Sequence, residues 1–400
     1  MPAKLQERER ADLQEDIPST VRSIHDLRQI YYKGKLGLTS GSRSDNELIR
    51  AWLISQTGLT NKYSTRDLWV TYMTANGVSY SPSLGDMMKT FFGDPSLASG
   101  GNPGVSTPTL QVASGSFTGN GTSQAITGLG FSPDLVIIHD DSATASIRTS
   151  WRSKSMTGDK TASTVGQIAN FANGITSLDA DGFTVGSAND VNENTKTIRW
   201  IAFKDNGSNT LAWGKYTGNG TAQSITGLNF QPDMVFAKVD STGARGCFTT
   251  STPAANTTFA CLNAASFTGG FTTLDSDGFT VGSDSRVNTN ASDYYWFAFK
   301  QVAGQFKVGS YTTTASPSDN RSITGVGFQP DMVIIRSSDS NDNPALRMPG
   351  LSGDLSYVQF GGVSSANNIQ AMEADGFQVG TANVVQRASS TFYYMAWKDL

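Results

Sequence analysis

The sequence predicts a mostly β protein, with three tandem antiparallel β-sandwich domains of jelly-roll-like type behind a small all-α N-terminal module. Three observations carry this. Three motifs recur in the same order three times; glutamate gives way to aspartate after residue 93; and short alternating strands punctuated by turn residues fill the repeated part.

The repeated motifs can be aligned by eye. The first reads Ile126-Thr-Gly-Leu-Gly-Phe131-Ser-Pro133-Asp134, then Ile225-Thr-Gly-Leu-Asn-Phe230-Gln-Pro232-Asp233, then Ile323-Thr-Gly-Val-Gly-Phe328-Gln-Pro330-Asp331. The second is Asp179-Ala-Asp181-Gly182-Phe183, Asp275-Ser-Asp277-Gly278-Phe279 and Glu373-Ala-Asp375-Gly376-Phe377. A third closes each unit at Trp200-Ile-Ala202-Phe203, Trp296-Phe-Ala298-Phe299 and Tyr394-Met-Ala396-Trp397, and each unit opens near a glycine at 115, 214 or 309. Repeats of about 97 residues exceed the roughly 20–50 of a solenoid unit and match whole domains. The predicted repeats are residues 115–206, 214–302 and 309–400.

Within a repeat, Asp-Gly before Phe-x-Val-Gly reads as a hairpin, with glycine taking the positive φ. Each proline cannot donate to a ladder and should precede its strand. The run after it is apolar at every position, as in a central strand covered on both faces. The closing strand alternates aromatics with a small alanine, as a packed face does.

Ahead of the repeats, residues 1–20 form a charged arm. Residues 21–93 read as four short helices. A hydroxyl stands three places before an acid at Ser23/Asp26, Ser44/Glu47, Ser64/Asp67 and Ser83/Asp86, the arrangement of a capping box. Gly37, Gly58 and Gly77 would end the first three. Such short helices must pack on something, so the module is either a small bundle or an anchoring and assembly element. Residues 94–114, rich in Gly, Pro and Ser, read as a linker. Beyond residue 93 the acids are 22 aspartates against two glutamates, Glu193 and Glu373, which favours turns over helices.

Composition bounds the chemistry. The chain has 400 residues with 30 basic and 34 acidic side chains, a formal net charge of −4, which excludes nucleic-acid binding driven by bulk positive charge. No apolar run reaches the roughly 18–20 residues of a membrane helix. The charged start is unlike a signal peptide, which points to synthesis in a cytoplasm. Cys247 and Cys261 are the only cysteines, expected to be reduced, and His25 and His139 the only histidines. His139 reads as a strand-end surface residue, because Lys238 and Arg336 stand in its place in the other repeats. Gly119-Asn-Gly121 and Gly218-Asn-Gly220 are turns without the Lys-Ser/Thr of a phosphate loop, so no cofactor is expected.

Asp179, Asp181, Asp275 and Asp277 resemble the start of a calcium loop and are the candidate metal ligands. The later oxygen ligands are missing, and a structural hairpin is the competing reading. Each Pro-Asp carboxylate is expected to cap the turn into its strand. No catalytic residue is assigned, although two converging carboxylates would suffice for a glycosidase. Residues 139–176, 239–272 and 336–370 share little beyond their polar character, as when one framework carries different loops. Aromatics within them, Trp151, Phe171, Phe248, Phe259, Tyr357 and Phe360, are the candidate surface-binding residues for a glycan or protein.

The ordered strings Gly-x-Tyr-Thr-Gly-Asn-Gly, Ile-Thr-Gly-x-x-Phe-Gln-Pro-Asp-x-Val and Asp-x-Asp-Gly-Phe-Thr-Val-Gly-Ser resemble a repeated β-sandwich domain of tailed-bacteriophage virion proteins. The Tyr31/Leu36 and Trp69/Tyr72 patterns resemble short helical repeats of such proteins. The third repeat departs where Thr-Thr-Thr-Ala-Ser-Pro replaces Thr-Gly-Asn-Gly, and at Glu373. The resemblance implies a non-enzymatic virion part assembled in the host cytoplasm, a tail or head fibre or other appendage. Residues 1–93 would meet other virion proteins, and the repeat loops a host-surface glycan or protein. A homo-oligomer, specifically a homotrimer, is implied, with no membrane insertion. A capsid decoration protein and a glycan-depolymerising enzyme are the alternatives.

Overall fold

The computed structural model describes residues 110–399 apart from 142–148, 165–166, 242, 262–263, 315–317, 339–342 and 359–363. The arm, the helical module, residues 94–109 of the linker and Phe360 lie outside the described residues.

The first repeat contains β1 (Leu110–Thr118), β2 (Gln124–Thr127), β3 (Leu135–Asp140), β4 (Ser150–Ser153), β5 (Ala162–Ser163), β6 (Ile175–Asp179), β7 (Gly182–Val185), the single turn α1 (Asn189–Asn192) and β8 (Thr197–Asp205). The second repeats this order with β9 (Leu211–Thr217), β10 (Gln223–Thr226), β11 (Met234–Val239), β12 (Cys247–Thr250), β13 (Phe259–Ala260), β14 (Phe271–Asp275), β15 (Gly278–Val281), α2 (Ser285–Asn288) and β16 (Asp293–Phe299). The third has β17 (Phe306–Thr313), β18 (Arg321–Thr324), β19 (Met332–Ser337), β20 (Ala345–Arg347), β21 (Ser356–Val358), β22 (Ser364–Ser365), β23 (Ile369–Glu373), β24 (Gly376–Val379) and β25 (Ser390–Trp397). Residues 110–114 thus begin the first strand rather than ending the linker, and each opening glycine lies inside its strand.

Every repeat is a sandwich of one large and one small antiparallel sheet. The large sheets run β1-β8-β3-β4-β5, β9-β16-β11-β12-β13 and β17-β25-β19-β20-β21-β22; the small ones run β2-β7-β6, β10-β15-β14 and β18-β24-β23. The short strands after the central one extend the large sheet instead of crossing to the small one. Each central strand starts two residues after its proline, and the predicted Asp-Gly hairpins join the last two strands of the small sheets.

Inside each sandwich the same contacts recur. Phe183 meets Trp200 edge-on at 5.5 Å, Phe279 meets Trp296 at 5.3 Å, and Phe377 meets Tyr394 at 5.2 Å. Cross-strand from these rings stand Gly115, Gly214 and Gly309. A Cβ at any of them would lie within 2.8 Å of the ring, so the glycine makes room for the aromatic.

The opposite face of each large sheet is also buried. All six residues of β3, β11 and β19 are covered. Their outward-alternating side chains, Leu135 and Ile137, Met234 and Phe236, Met332 and Ile334, enter one shared core built from all three repeats. At its centre three equivalent closing-strand aromatics touch: Phe203–Phe299 at 5.1 Å, Phe299–Trp397 at 5.7 Å and Phe203–Trp397 at 6.3 Å. Residues 108–400 are therefore one compact unit, three lobes about a pseudo-threefold centre, not a string of separate domains.

Candidate functional surfaces

The candidate metal carboxylates have structural partners. Asp181 accepts the amides of Gly128 at 3.0 Å and Gly130 at 2.6 Å; Asp277 accepts those of Gly227 and Asn229; Asp375 those of Gly325 and Gly327. Each clamps the Asp-Gly hairpin to the loop that precedes the proline. Those two amides hold the Asp375 carboxyl below the usual carboxylate range. Asp179 accepts Ser177 and Thr184 hydroxyls at 2.7 Å, and Asp275 accepts Thr280 at 2.8 Å. Among the described residues no group of three His, Cys, Asp or Glu side chains is placed to hold a metal ion. Beside these clamps, Gly182, Gly278 and Gly376 have φ of 150°, 154° and 143°. A Cβ there would come within 1.9 Å of the facing carbonyl oxygen.

The Pro-Asp carboxylates, expected to cap the turn into the next strand, bond instead to the end of the closing strand. Asp134 accepts the amide of Asp205 at 2.9 Å, Asp233 that of Gln301 at 2.8 Å and Asp331 that of Asp399 at 2.8 Å. Each ties the start of the central strand to the exit of the closing strand. Burial pushes the Asp331 carboxyl up despite that bond.

The candidate binding aromatics mostly face inward, contrary to expectation. Trp151 and Phe259 are fully buried, as is Tyr357, and Phe248 is 2% exposed. All four sit in the shared core, Trp151 against Phe236 and Phe297 and Phe248 against Phe259. Phe171 is half-buried against the first sandwich interior. Strands of two to four residues are too short to reveal which side chains alternate inward, which is why the sequence reads them as loops.

His139 is likewise not a surface residue. It is completely buried, as are Lys238 and Arg336 at the equivalent places. Nδ1 of His139 shares a hydrogen bond with Thr149 at 2.8 Å, and its ring lies 3.8 Å from Tyr357 of the third repeat. Lys238 donates to the carbonyl of Ile168 in the first repeat at 3.0 Å, and Arg336 to that of Ala264 in the second. Burial lowers the Lys238 ammonium to about 8. These groups are seam residues between repeats.

Sequence reasoning missed a buried amide that organises the first hairpin. Asn192 receives the amide of Asn120 at 2.9 Å and donates to the carbonyls of Gly186 at 2.8 Å and Thr122 at 2.5 Å. Asn288 does the same for Asn219, Gly282 and Thr221. In the third repeat Gln386 donates to Gly380 and Asp319. The signal was present: each amide stands 11 residues beyond the hairpin aspartate. Also missed was Arg152, whose buried guanidinium binds the carbonyls of Met156, Gly158 and Lys160, as Arg347 binds those of Leu351, Gly353 and Leu355.

Cys247 and Cys261 are free and buried, the first in the second sandwich interior and the second in the shared core. They face opposite sides of one sheet, which explains their being unbridged. Burial raises the Cys247 thiol to about 12, leaving it inert. A cavity of about 30 Å³ at the shared core is lined by Ile137, Phe236, Ile334 and neighbouring apolar groups, and is too small for an organic ligand.

One family model, described as a domain of unknown function, DUF7483, matches residues 107–399 in a single span. The chain belongs to this family. A comparison with curated proteins finds no match. The DUF7483 span covers all three lobes together, so its limits coincide with those of the compact unit. Within it the repeats point the same way, since equivalent residues meet at the centre. One end carries the start of β1, the end of β25 and the connections between repeats. The other carries the ends of β3, β11 and β19, and the segments that follow these strands differ in sequence. Among the described residues no helix is long and apolar enough to cross a membrane.

Proposed function

We propose that this chain is a structural protein of a tailed-phage virion, a fibre or appendage fixed to head, neck or tail through residues 1–93. Its DUF7483 unit is presented toward the host surface, with a glycan as the preferred ligand. The single observation behind this is how the repeated residues are used. The shared aspartates, glycines, aromatics and amides serve hairpin, clamp or core, while the segments that follow the central strands differ in sequence from repeat to repeat. A rigid body with a constant frame and variable loops suits surface recognition. The chain would be made in the host cytoplasm and carried on the particle. Deleting residues 1–93 is expected to abolish incorporation into particles while leaving the DUF7483 unit folded. Full incorporation of that truncation would defeat the anchoring reading.

Burial of Trp151, Phe248, Phe259 and Tyr357 favours a second reading, a decoration protein that contacts only the particle. Particles lacking residues 108–400 decide between the two: the attachment reading expects host adsorption to fall at least tenfold, and the decoration reading expects it unchanged. Purified protein incubated with host polysaccharide tests the enzymatic alternative, for which new reducing ends would be required.

A further inference from the structure

The seams between lobes reuse one place on the fold. Asp240 of the second repeat receives Lys160 of the first at 2.5 Å. The equivalent Ser338 of the third receives the amide of Ser266 of the second at 3.2 Å through its carbonyl. The equivalent Asp141 of the first receives the hydroxyl of Tyr357 of the third at 2.6 Å. The seams therefore run first to second, second to third and third to first. The last is reinforced where Gln305 donates to the carbonyl of Leu110 at 2.6 Å and Ser114 to the carboxylate of Asp399 at 2.8 Å. Three head-to-tail interfaces that return to their start form a closed ring, and closure leaves no inner face for another copy.

We propose that the DUF7483 unit is a trimer made within one chain. The buried face of each large sheet is an interface for a sandwich of the same fold, and the chain itself supplies both neighbours. Two further observations agree. The family match runs through all three repeats as one span. The seam chemistry also differs at each joint, a lysine–aspartate pair, a serine–backbone contact and a tyrosine–aspartate contact, which fixes the order of the lobes around the ring. The trimer expected of a fibre is then met by a single polypeptide with one N-terminal part, and any self-association of the full chain does not use the inner faces of the large sheets. The inference is independent of the attachment reading, because it concerns purified protein alone.

The test is whether seam cross-links form within one chain. A zero-length carbodiimide applied to the folded full-length protein couples Lys160 to Asp240. The coupled peptide is expected in the band of single-chain mass on a denaturing gel and is expected to vanish in Lys160→Ala. For the closing seam, a Ser114→Cys, Asp399→Cys double variant is treated with a short bis-maleimide, the native cysteines being buried. A single-chain band of faster migration is expected. Coupled peptides confined to bands of two or three chains, or absent from every band, would overturn the proposal at either seam.

Discussion

The large sheets supply alternate residues of the same strands to the lobe interiors, which the small sheets complete, and to the shared centre, yet the two cores are written differently. Inside the lobes the letters repeat: Phe183, Phe279 and Phe377; Val185, Val281 and Val379; Ala202, Ala298 and Ala396. At the centre they diverge: Trp151, Phe248 and Leu346 stand in one position, and Phe203, Phe299 and Trp397 in another. A lobe interior is the same packing problem solved three times, so one solution serves. The centre is one problem solved once by three contributors, and a wide ring from one lobe can fill the space left by a small side chain in the next.

The largest test of this difference is Phe299→Ala. Phe299 touches Phe203, Trp397, Phe297 and Phe306, spanning all three lobes. Loss of about 3–5 kcal/mol is expected for a buried phenylalanine. Because the centre is common property, urea unfolding followed by tryptophan fluorescence should shift to a lower midpoint in one transition. A separate early transition confined to the second repeat would show that the lobes are independent, and would break the comparison.

Next in size is Gly182→Ala in the first hairpin. The added methyl would meet the Ile126 carbonyl oxygen, at a φ that L residues rarely adopt. A cost of about 2–4 kcal/mol is expected, from backbone strain of about 1–3 kcal/mol plus overpacking. Ala180→Gly in the same turn serves as the control, with a change within about 1 kcal/mol. Equal effects would show that the hairpin glycine is not sterically required.

How far the fold was legible follows from this contrast. The lobes could be read because their demands are local and repeated: proline two residues before the strand, glycine after the hairpin aspartate, alanine between aromatics. The centre could not be read. Trp151 and Phe259 sit in strands of four and two residues, too short for a period, and what buries them lies in another repeat about 100 residues away. His139 misled for the same reason, since the Tyr357 ring that covers it belongs to the third lobe. The calcium-like spacing did not disclose the partners of Asp181, because the amides it accepts come from a loop some 50 residues earlier.

Between the repeats, a smaller effect distinguishes the third from the first two. Asn192 fits a Gly-Asn-Gly turn, and Gln386 a turn without it. Asn192→Ala leaves one donor amide and two carbonyls without their partner, so a loss of about 1–3 kcal/mol is expected in thermal or urea unfolding. Asn192→Gln should recover little of it. Even a Cβ at Gly119 would run into the Glu193 carbonyl, so this turn has little room for the longer side chain. Full recovery by glutamine would mean that amide and turn are not matched.

The smallest effect is expected at the exposed clamp of the third hairpin. Asp375 is held below its ordinary value of 3.8 first by the amide of Gly327 and then by that of Gly325. The sign follows from proton linkage. A carboxyl with a depressed value in the folded state contributes stability that is fully present above the unfolded value and is lost as pH falls through the folded one. The contribution should therefore begin to decline below about pH 4 and be lost as pH falls through the lower folded value, and Asp375→Asn should flatten the acid limb of the urea midpoint against pH while leaving the neutral midpoint only slightly lowered. A carbon-13 titration of the Asp375 carboxyl should show its midpoint below 3.8 in the wild type. A midpoint at or above that value would mean that the two glycine amides do not hold the ionised form, and that the hairpin is fixed by Gly376 and the strand pairing alone.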